Sequence, residues 1–244
     1  YGGEIQTPAL DGLAASGLKF SRFYNTAKCS PTRASLLTGQ YPHAAGLENL
    51  TTSGGGNSSA YLGYLSDETV TLAEVLGQNG YGTYMSGKWH VGENQGRWPL
   101  VRGFDRYWGL ISGANSFWEL LTQYGRQMAL DNTPWNPATD YTATDLTRHG
   151  RTDFYMTDAT ADYAIDFLDE HQTTRPADPF FLYMSFTAPH WPLHAYESDI
   201  DTYDGVYDQG WDVTRQNRLN EMINQGLLPP GTQLSPQDGA NWSG

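Results

Sequence analysis

Cysteine is almost absent. Cys29 is the only one in 244 residues, so no internal disulfide can form, and cysteine usage does not tell an oxidising compartment from a reducing one. Lysine is nearly as scarce, with Lys19, Lys28 and Lys88 the only three. There are 14 basic residues against 27 acidic ones, a net charge of -13 spread along the chain. That balance argues against general nucleic-acid binding, and an anionic ligand would need a locally built cationic pocket. No apolar run approaches the ~18 residues of a membrane span. The opening YGGEIQTPAL has neither a basic n-region nor an apolar h-region, and it lacks an initiator methionine, so the chain is expected to start inside a longer protein or after processing. The closing DGANWSG shows no terminal strand or helix. Hydrophobic residues make up 39% of the chain, enough for a true core in one large domain or two small ones.

Helix-like and strand-like patterns alternate along the chain. Thr7 and Pro8 read as the N-cap and first residue of a helix over about 8–16, with Leu10, Leu13 and Ala14 on one face and Gly17 as the stop. The alternation in LKFSRFYNT, residues 18–26, predicts a strand, followed by a short helix through RASLLTG. Cys29 is then expected between a strand's end and a helix's N-terminus. ETVTLAEVLGQNGYGTYMSGKWHVG predicts a helix with Leu72, Val75 and Leu76 as its apolar stripe, a stop at Gly80, a short strand and the GKWH loop. Residues 93–150 are rich in Gly, Asn, Thr, Pro and Trp without sustained periodicity, and are expected to form long loops with short edge strands. A helix with Ala161, Ala164, Ile165 and Leu168 inward follows, then PFFLYMSFTAPH as a buried strand with His190 just past it, then a helix ending near Gly226. No repeat, low-complexity tract or linker interrupts the pattern. It is that of an open α/β sheet, which binds its ligand beyond the carboxyl ends of its strands.

Taken alone, a single cysteine is a small buried hydrophobe. Here Ser30, Pro31, Thr32 and Arg33 are small, rigid or polar, and a cation at a helix start lowers a thiol's pKa, so a cysteine nucleophile is the first functional reading. Lys88 alone reads as a solvated surface lysine, and His90 and His190 alone as hydrogen-bonded histidines beside Trp89 and Trp191. His43, His149, His171 and His194 read as structural, with a place at a pocket mouth also open to His194. Trp98, Trp108 and Trp118 read as core or loop packing ahead of stacking on a sugar or aryl group.

The segment CSPTRASLLTG fits C-x-P-x-R-x-x-x-L-T-G at six fixed positions, among them Cys29, Pro31, Arg33, Thr38 and Gly39. SGKWHVG (Ser86–Gly92) and TAPHWPL (Thr187–Leu193) follow in order, and IQTPALDGLA and RGFDRYWGL extend the match over essentially the whole chain. On these segments the sequence resembles the type I, formylglycine-dependent sulfatases, closest to their bacterial arylsulfatase-like branch. The resemblance implies an α/β fold of the alkaline-phosphatase-like superfamily, a sheet flanked by helices. Residues 1–244 would form part of the catalytic domain, with the first strand and the C-terminal part lying outside it.

It also implies a sulfuric ester hydrolase in which a formylglycine-generating enzyme reads C-x-P-x-R and oxidises Cys29 to an aldehyde. One hydroxyl of the aldehyde's hydrate would attack sulfur and release the alcohol, and the second, deprotonated with help from His90, would then expel sulfate and restore the aldehyde. Arg33 would hold the diol and the metal-side charge, and Lys88 would bridge diol and sulfate. His190 would contact sulfate or protonate the leaving group, with the emphasis on His90 and His190 exchangeable. The chemistry makes the same demand: charge moves onto the leaving oxygen as the S–O bond breaks, so fixed cations, a nucleophile and a proton donor are required.

A divalent metal, calcium or alternatively magnesium, belongs to the same resemblance. It would be bound by the formylglycine made from Cys29, an Asp-Asp pair and an Asp-Asn pair, and neither pair is present at its expected place in this sequence. Asp131-Asn132 is followed by Thr133 and precedes His190, so it reads as a turn, and Asp238-Gly239 reads as a loop. The implied partners are a sulfated small molecule or carbohydrate and the modifying enzyme, with no nucleic acid and no membrane span, and the implied location is the periplasm or beyond. Two other readings stand beside this one: a phosphonate monoester hydrolase or phosphodiesterase of the same superfamily, and an inactive, metal-less fragment or binding protein.

Overall fold

The computed structural model describes residues 3–51, 58–142 and 153–236. In chain order its elements are α1 (Pro8–Ser16), α2 (Cys29–Thr38), α3 (Leu72–Gln78), β1 (Gly82–Gly87), β2 (Arg106–Leu110), β3 (Met128–Leu130), β4 (Thr133–Trp135), α4 (Pro137–Asp140), α5 (Met156–Thr174), β5 (Phe180–Ser185), α6 (Glu197–Asp201) and α7 (Trp211–Asn224), besides short 3-10 turns. His149 and Asp238-Gly239 lie outside the described residues. Contacts divide the chain into two compact units, Tyr1–Tyr24 with Ala195–Gly244, and Asn25–His194.

The larger unit is built on a five-stranded sheet in the order β4-β3-β2-β1-β5. β1 runs parallel to both β2 and β5, and β3 and β4 continue the sheet as an antiparallel hairpin. β1 is buried along its whole length, and its alternate residues face two different layers. Tyr84 meets Phe167 and His171, and Ser86 Oγ donates to Thr160 O at 2.7 Å, all on α5. Met85 faces the other way, into a cluster with Ala34 and Leu37 of α2, Ala73 of α3, Trp89 and Tyr107. The result is a helix–sheet–helix stack in which each fully buried large apolar side chain contributes roughly 1.5–3 kcal/mol.

Two glycines let the parallel strands close up at their carboxyl ends. At Gly87 (φ 116°) a Cβ would lie 2.2 Å from Ser185 O, and at Gly109 (φ 145°) one would lie 2.0 Å from Gly87 O. Both φ values are in the region that other L-residues avoid, so glycine is required on steric and conformational grounds together.

Several sequence expectations are corrected. Residues 18–26 form no strand, and Leu18, Phe20, Phe23 and Tyr24 are exposed: alternation alone makes no ladder, and no described strand pairs with this segment. Residues 93–150 supply β2, an interior strand buried at four of its five positions, together with the β3–β4 hairpin. A strand covered on both faces shows no alternation, which hid it. Asp131-Asn132 is the turn expected, with Asp131 at φ 54° and its carboxylate accepting Tyr107 N–H at 3.0 Å and Arg106 Nε–H at 3.1 Å. β5 is an edge strand, and Phe180 and Met184 are exposed. On α3 the buried residue is Ala73 while Leu72 and Val75 are exposed, and on α5 the inward stripe is Met156, Thr160, Ala164, Phe167 and His171, with Ile165 exposed.

The smaller unit holds α1, α6 and α7. Pro8 opens α1 and Gly17 caps it, but Leu10 and Leu13 are exposed. Arg218 Nε donates to Glu4 Oε2 at 3.0 Å, and Gly226 (φ 72°) follows α7.

Candidate active site

Cys29 is the first residue of α2, four residues earlier than the helix was expected to start. The approach is set locally: Asn25 Oδ1 accepts Ala27 N–H at 2.8 Å, Ala27 is left-handed (φ 57°), and Lys28 is extended as the N-cap. Pro31, in the first turn, lacks an N–H where no intrahelical acceptor would exist for one. Gly39 (φ 67°) ends the helix with its N–H on Ser35 O at 2.9 Å. The Cys29 side chain therefore sits at the positive end of the helix, half-buried, with Arg33 one turn on and on the same face.

Lys88 and His90 come from the loop after β1, which is fixed through its backbone. Lys88 N–H donates to Ser185 O at 2.7 Å, Trp89 N–H to Leu110 O at 2.8 Å and His90 N–H to Ile111 O at 3.0 Å. The Lys88 carbonyl accepts Ser185 Oγ–H at 2.8 Å and an N–H of the Arg33 guanidinium. Trp89 is fully buried against Phe104 and drives the loop into the core. His90 is held at φ 53°, a left-handed conformation costing roughly 1–2 kcal/mol that these contacts impose.

The side chains converge on Cys29. His90 Nδ1 is 3.1 Å from its Sγ, and Lys88 lies near enough for Cys29 to act on its proton affinity. Lys88 and His90 are 2% and 3% exposed, so their charged forms are poorly solvated. Burial, reinforced by the Arg33 charge and opposed by Cys29, brings the Lys88 ammonium down to about 8. Burial, followed by the positive charges of Lys88, Arg33, His190 and Arg126, pushes the His90 imidazole down to about 3. At neutral pH the site thus pairs a cationic Lys88 with a neutral His90, an anion-receiving charge beside a proton acceptor.

His90 is boxed in on its far side. Its Nε2 is buried without a hydrogen-bond partner, 3.8 Å from Glu93 Oε1, and Glu93 is itself held by Thr51 Oγ1 at 2.9 Å. Gly113 lies against the ring edge: a Cβ there would be 2.4 Å from both His90 Cε1 and Nε2. Gly113→Ala is therefore expected to displace the imidazole and lower turnover of the full-length protein by about 10²-fold, the order of effect of a 1 Å misplacement. A loss smaller than about threefold in an ester-hydrolysis assay would show that Gly113 does not set the ring's position.

His190 lies five residues beyond β5 on the same carboxyl edge, exposed, with Nδ1 2.6 Å from Trp191 O. Its charge reaches His90, but no hydrogen bond links it to the Cys29 cluster. The other described histidines are held elsewhere. His43 is 3.9 Å from Glu48, His171 is buried between Tyr84 OH (2.8 Å) and Asp178 O (3.0 Å), and His194 Nδ1 accepts Phe117 N–H at 3.3 Å. Trp98 and Trp108 are buried, and Trp118 packs against Tyr155 in a tilted pair with centroids 4.6 Å apart. Ser185, Gly113, Glu93 and Arg126 were not expected at the site. Ser185 ends β5 and Gly113 follows β2, the two strands that pair with β1, and only the register brings them there.

A calcium ion takes roughly six to eight oxygen ligands. Among the described residues no group of three or more His, Cys, Asp or Glu side chains is placed to hold a metal, so these residues alone do not assemble such a site.

The fold and the site define an α/β protein with an anion-receiving centre at the carboxyl edge of a parallel sheet. The chain belongs to the sulfatase family, whose family model, described as Sulfatase, matches residues 1–228. It is 36% identical over 98% of its length to an uncharacterized sulfatase of Schizosaccharomyces pombe, and 31% identical over 96% to the arylsulfatase of Klebsiella aerogenes. It spans 43% and 48% of those two relatives, less than half of each. The crystal structure of Ps i-CgsB matches with a TM-score of 0.66 and 26% identity, over 91% of this chain and 50% of that one. The same protein in complex with k-i-k-neocarrahexaose matches with a TM-score of 0.57 and 26% identity, over 81% of this chain and 42% of that one. The fold is the alkaline-phosphatase-like one of the sulfatases.

Proposed function

We propose that the full-length protein hydrolyses sulfate monoesters, with Cys29 converted to formylglycine by a formylglycine-generating enzyme. One observation carries the reading: the Cys29 side chain lies 3.1 Å from the Nδ1 of a buried neutral histidine and near a buried lysine, within the segment that such an enzyme would read. Formylglycine supplies a hydrated aldehyde, a pair of hydroxyls where the thiol stood.

The chain's own residues divide the remaining work. Lys88 offsets the charge of the ester and of the oxygens next to it. His90, uncharged down to about pH 3, accepts a proton at Nδ1. Arg33 acts through its bond to the Lys88 carbonyl and adds positive charge to the pocket. His190, on the exposed rim, is placed to meet the leaving oxygen or the sulfate. Residues 1–244 are read as part of the catalytic domain, and calcium, with magnesium as the alternative, as a family feature on which none of these roles depends. The arylsulfatase relative and the carbohydrate bound to Ps i-CgsB support aryl and carbohydrate sulfates as candidate substrates. The periplasm or the cell exterior is the location, on family likeness. No described helix is long and apolar enough to cross a membrane.

The test is a pair of rates for the metal-loaded full-length protein on 4-nitrophenyl sulfate and methyl 4-nitrophenyl phosphate, which share a leaving group. The sulfate is expected to react at least about tenfold faster by kcat/KM. Preference for the phosphodiester would overturn the reading in favour of a phosphonate monoester hydrolase or phosphodiesterase.

A further inference from the structure

Arg126 precedes β3 and carries a charge that the roles above do not use. Its neighbour Gln127 accepts Ile111 N–H at 2.9 Å through its backbone carbonyl, and Ile111 O accepts His90 N–H at 3.0 Å. Two such backbone steps, at ~4.8 Å each, put Gln127 about 10 Å across from His90, and Arg126 is the next residue, close enough for a long side chain to reach toward the site. Its positive charge is felt there, depressing the proton affinity of both Lys88 and His90. Arg126 is half-buried, and no carboxylate or other side-chain partner holds its guanidinium among the described residues. Arg102 and Arg106 show the contrast: their guanidiniums are tied to Glu74 and Asp131.

The same arginine lines a cleft of about 350 Å³ with Trp98, Gln127, Trp135, Asn136 and Asp140. That volume is at the small end for ligand sites and accommodates a group the size of a monosaccharide. Its chemistry is mixed. The two indoles are themselves almost wholly buried and present little surface, two amides offer hydrogen bonds, and Asp140, whose carboxylate accepts Asn136 N–H at 2.7 Å, can also take a hydroxyl. A plain aryl group would leave these polar groups and the guanidinium unmatched. A sugar ring satisfies the amides and Asp140, and only an anionic substituent satisfies Arg126, which binds sulfate or carboxylate through paired N–H donors.

We propose that Arg126 is a specificity-determining residue that receives a second anionic group, a sulfate or a carboxylate, on a glycan whose scissile sulfate lies at the Cys29 cluster. The proposal rests on the sulfate-ester reading and narrows it to doubly anionic saccharides.

Isothermal titration of the full-length Cys29→Ala protein, which cannot turn substrate over, tests it directly. The probes are a monosulfated hexosamine, a disulfated hexosamine, and a sulfated disaccharide carrying a uronate. At least one doubly anionic probe is expected to bind about tenfold or more tighter than the monosulfated one, and which of the two does so separates sulfate from carboxylate. Adding Arg126→Ala should remove the advantage, and Arg126→Lys should restore part of it. In the formylglycine-bearing enzyme, Arg126→Ala should lower kcat/KM for the preferred doubly anionic glycan about tenfold more than for 4-nitrophenyl sulfate, chiefly through KM. An advantage that is absent with Arg126 present, or that survives Arg126→Ala, overturns the proposal. If the binding difference holds while no sulfate ester is hydrolysed, the sulfatase reading fails and the anion subsite stands. Normal hydrolysis without the difference does the reverse.

Discussion

Full-length protein carrying Cys29→Ala is expected to lose turnover of 4-nitrophenyl sulfate by roughly 10⁴-fold or more, the scale seen when a nucleophile is removed from a site whose groups act as a unit. Cys29 is half-buried at the first position of α2, where the side chain contributes little to packing, so alanine should leave the fold intact. A melting temperature close to that of the parent would separate loss of chemistry from loss of structure. Cys29→Ser makes the prediction sharper. A hydroxyl cannot stand in for an aldehyde hydrate, so serine should be as inactive as alanine unless the expression host also oxidises serine. A serine variant that is active with its hydroxyl unmodified would contradict the formylglycine reading.

Lys88→Ala is expected to be the next most damaging change, by about 2–4 kcal/mol of transition-state stabilisation, or roughly 30- to 1,000-fold in kcat/KM. The lysine is 2% exposed and lies near Cys29, so its charge acts in a pocket that screens it poorly. Lys88→Met, which keeps most of the volume, should lose as much, placing the effect on charge and not on a cavity. Lys19→Ala, on the exposed surface, is expected to stay within about twofold. The pH dependence has a definite sign. Lys88 is brought down to about 8 with a thiol at Cys29, so it is cationic below its lowered pKa and neutral above it, and the parent rate should fall as pH rises through that pKa. The Lys88 variants should lack that limb. Equal losses for Lys19→Ala and Lys88→Ala, or an unchanged limb, would remove Lys88 from the site.

The sequence made some of this legible for reasons that are local. Cys29 and Arg33 are four residues apart and share a helical face, and Lys88 and His90 follow directly on β1, so their places in the fold could be read locally, while their grouping as one site came from the resemblance of the three segments. What it did not show depends on long-range register. Ser185 reaches the Lys88 carbonyl because β5 pairs in register with β1, and Gly113 reaches His90 because β2 pairs on the other side. β2 carries no alternation because both its faces are covered, whereas residues 18–26 alternate without a strand to pair with. The left-handed backbone of His90 has no signature of its own, since histidine adopts it only under the constraint of its three neighbours' hydrogen bonds. Arg126 was not legible at all, being one of several arginines until the sheet brought its loop beside Ile111.

Everything proposed for the Cys29 cluster comes down to what stands on the Cβ of that residue in the working enzyme. Cleavage after Lys28 and Arg33 releases Cys29–Arg33 as a short peptide, and its mass in protein purified from a host with the modifying enzyme gives the answer. An aldehyde in place of the thiol, in a proportion that tracks specific activity on 4-nitrophenyl sulfate across preparations, is the expected result. An intact thiol in protein that hydrolyses sulfate esters at full rate would contradict it.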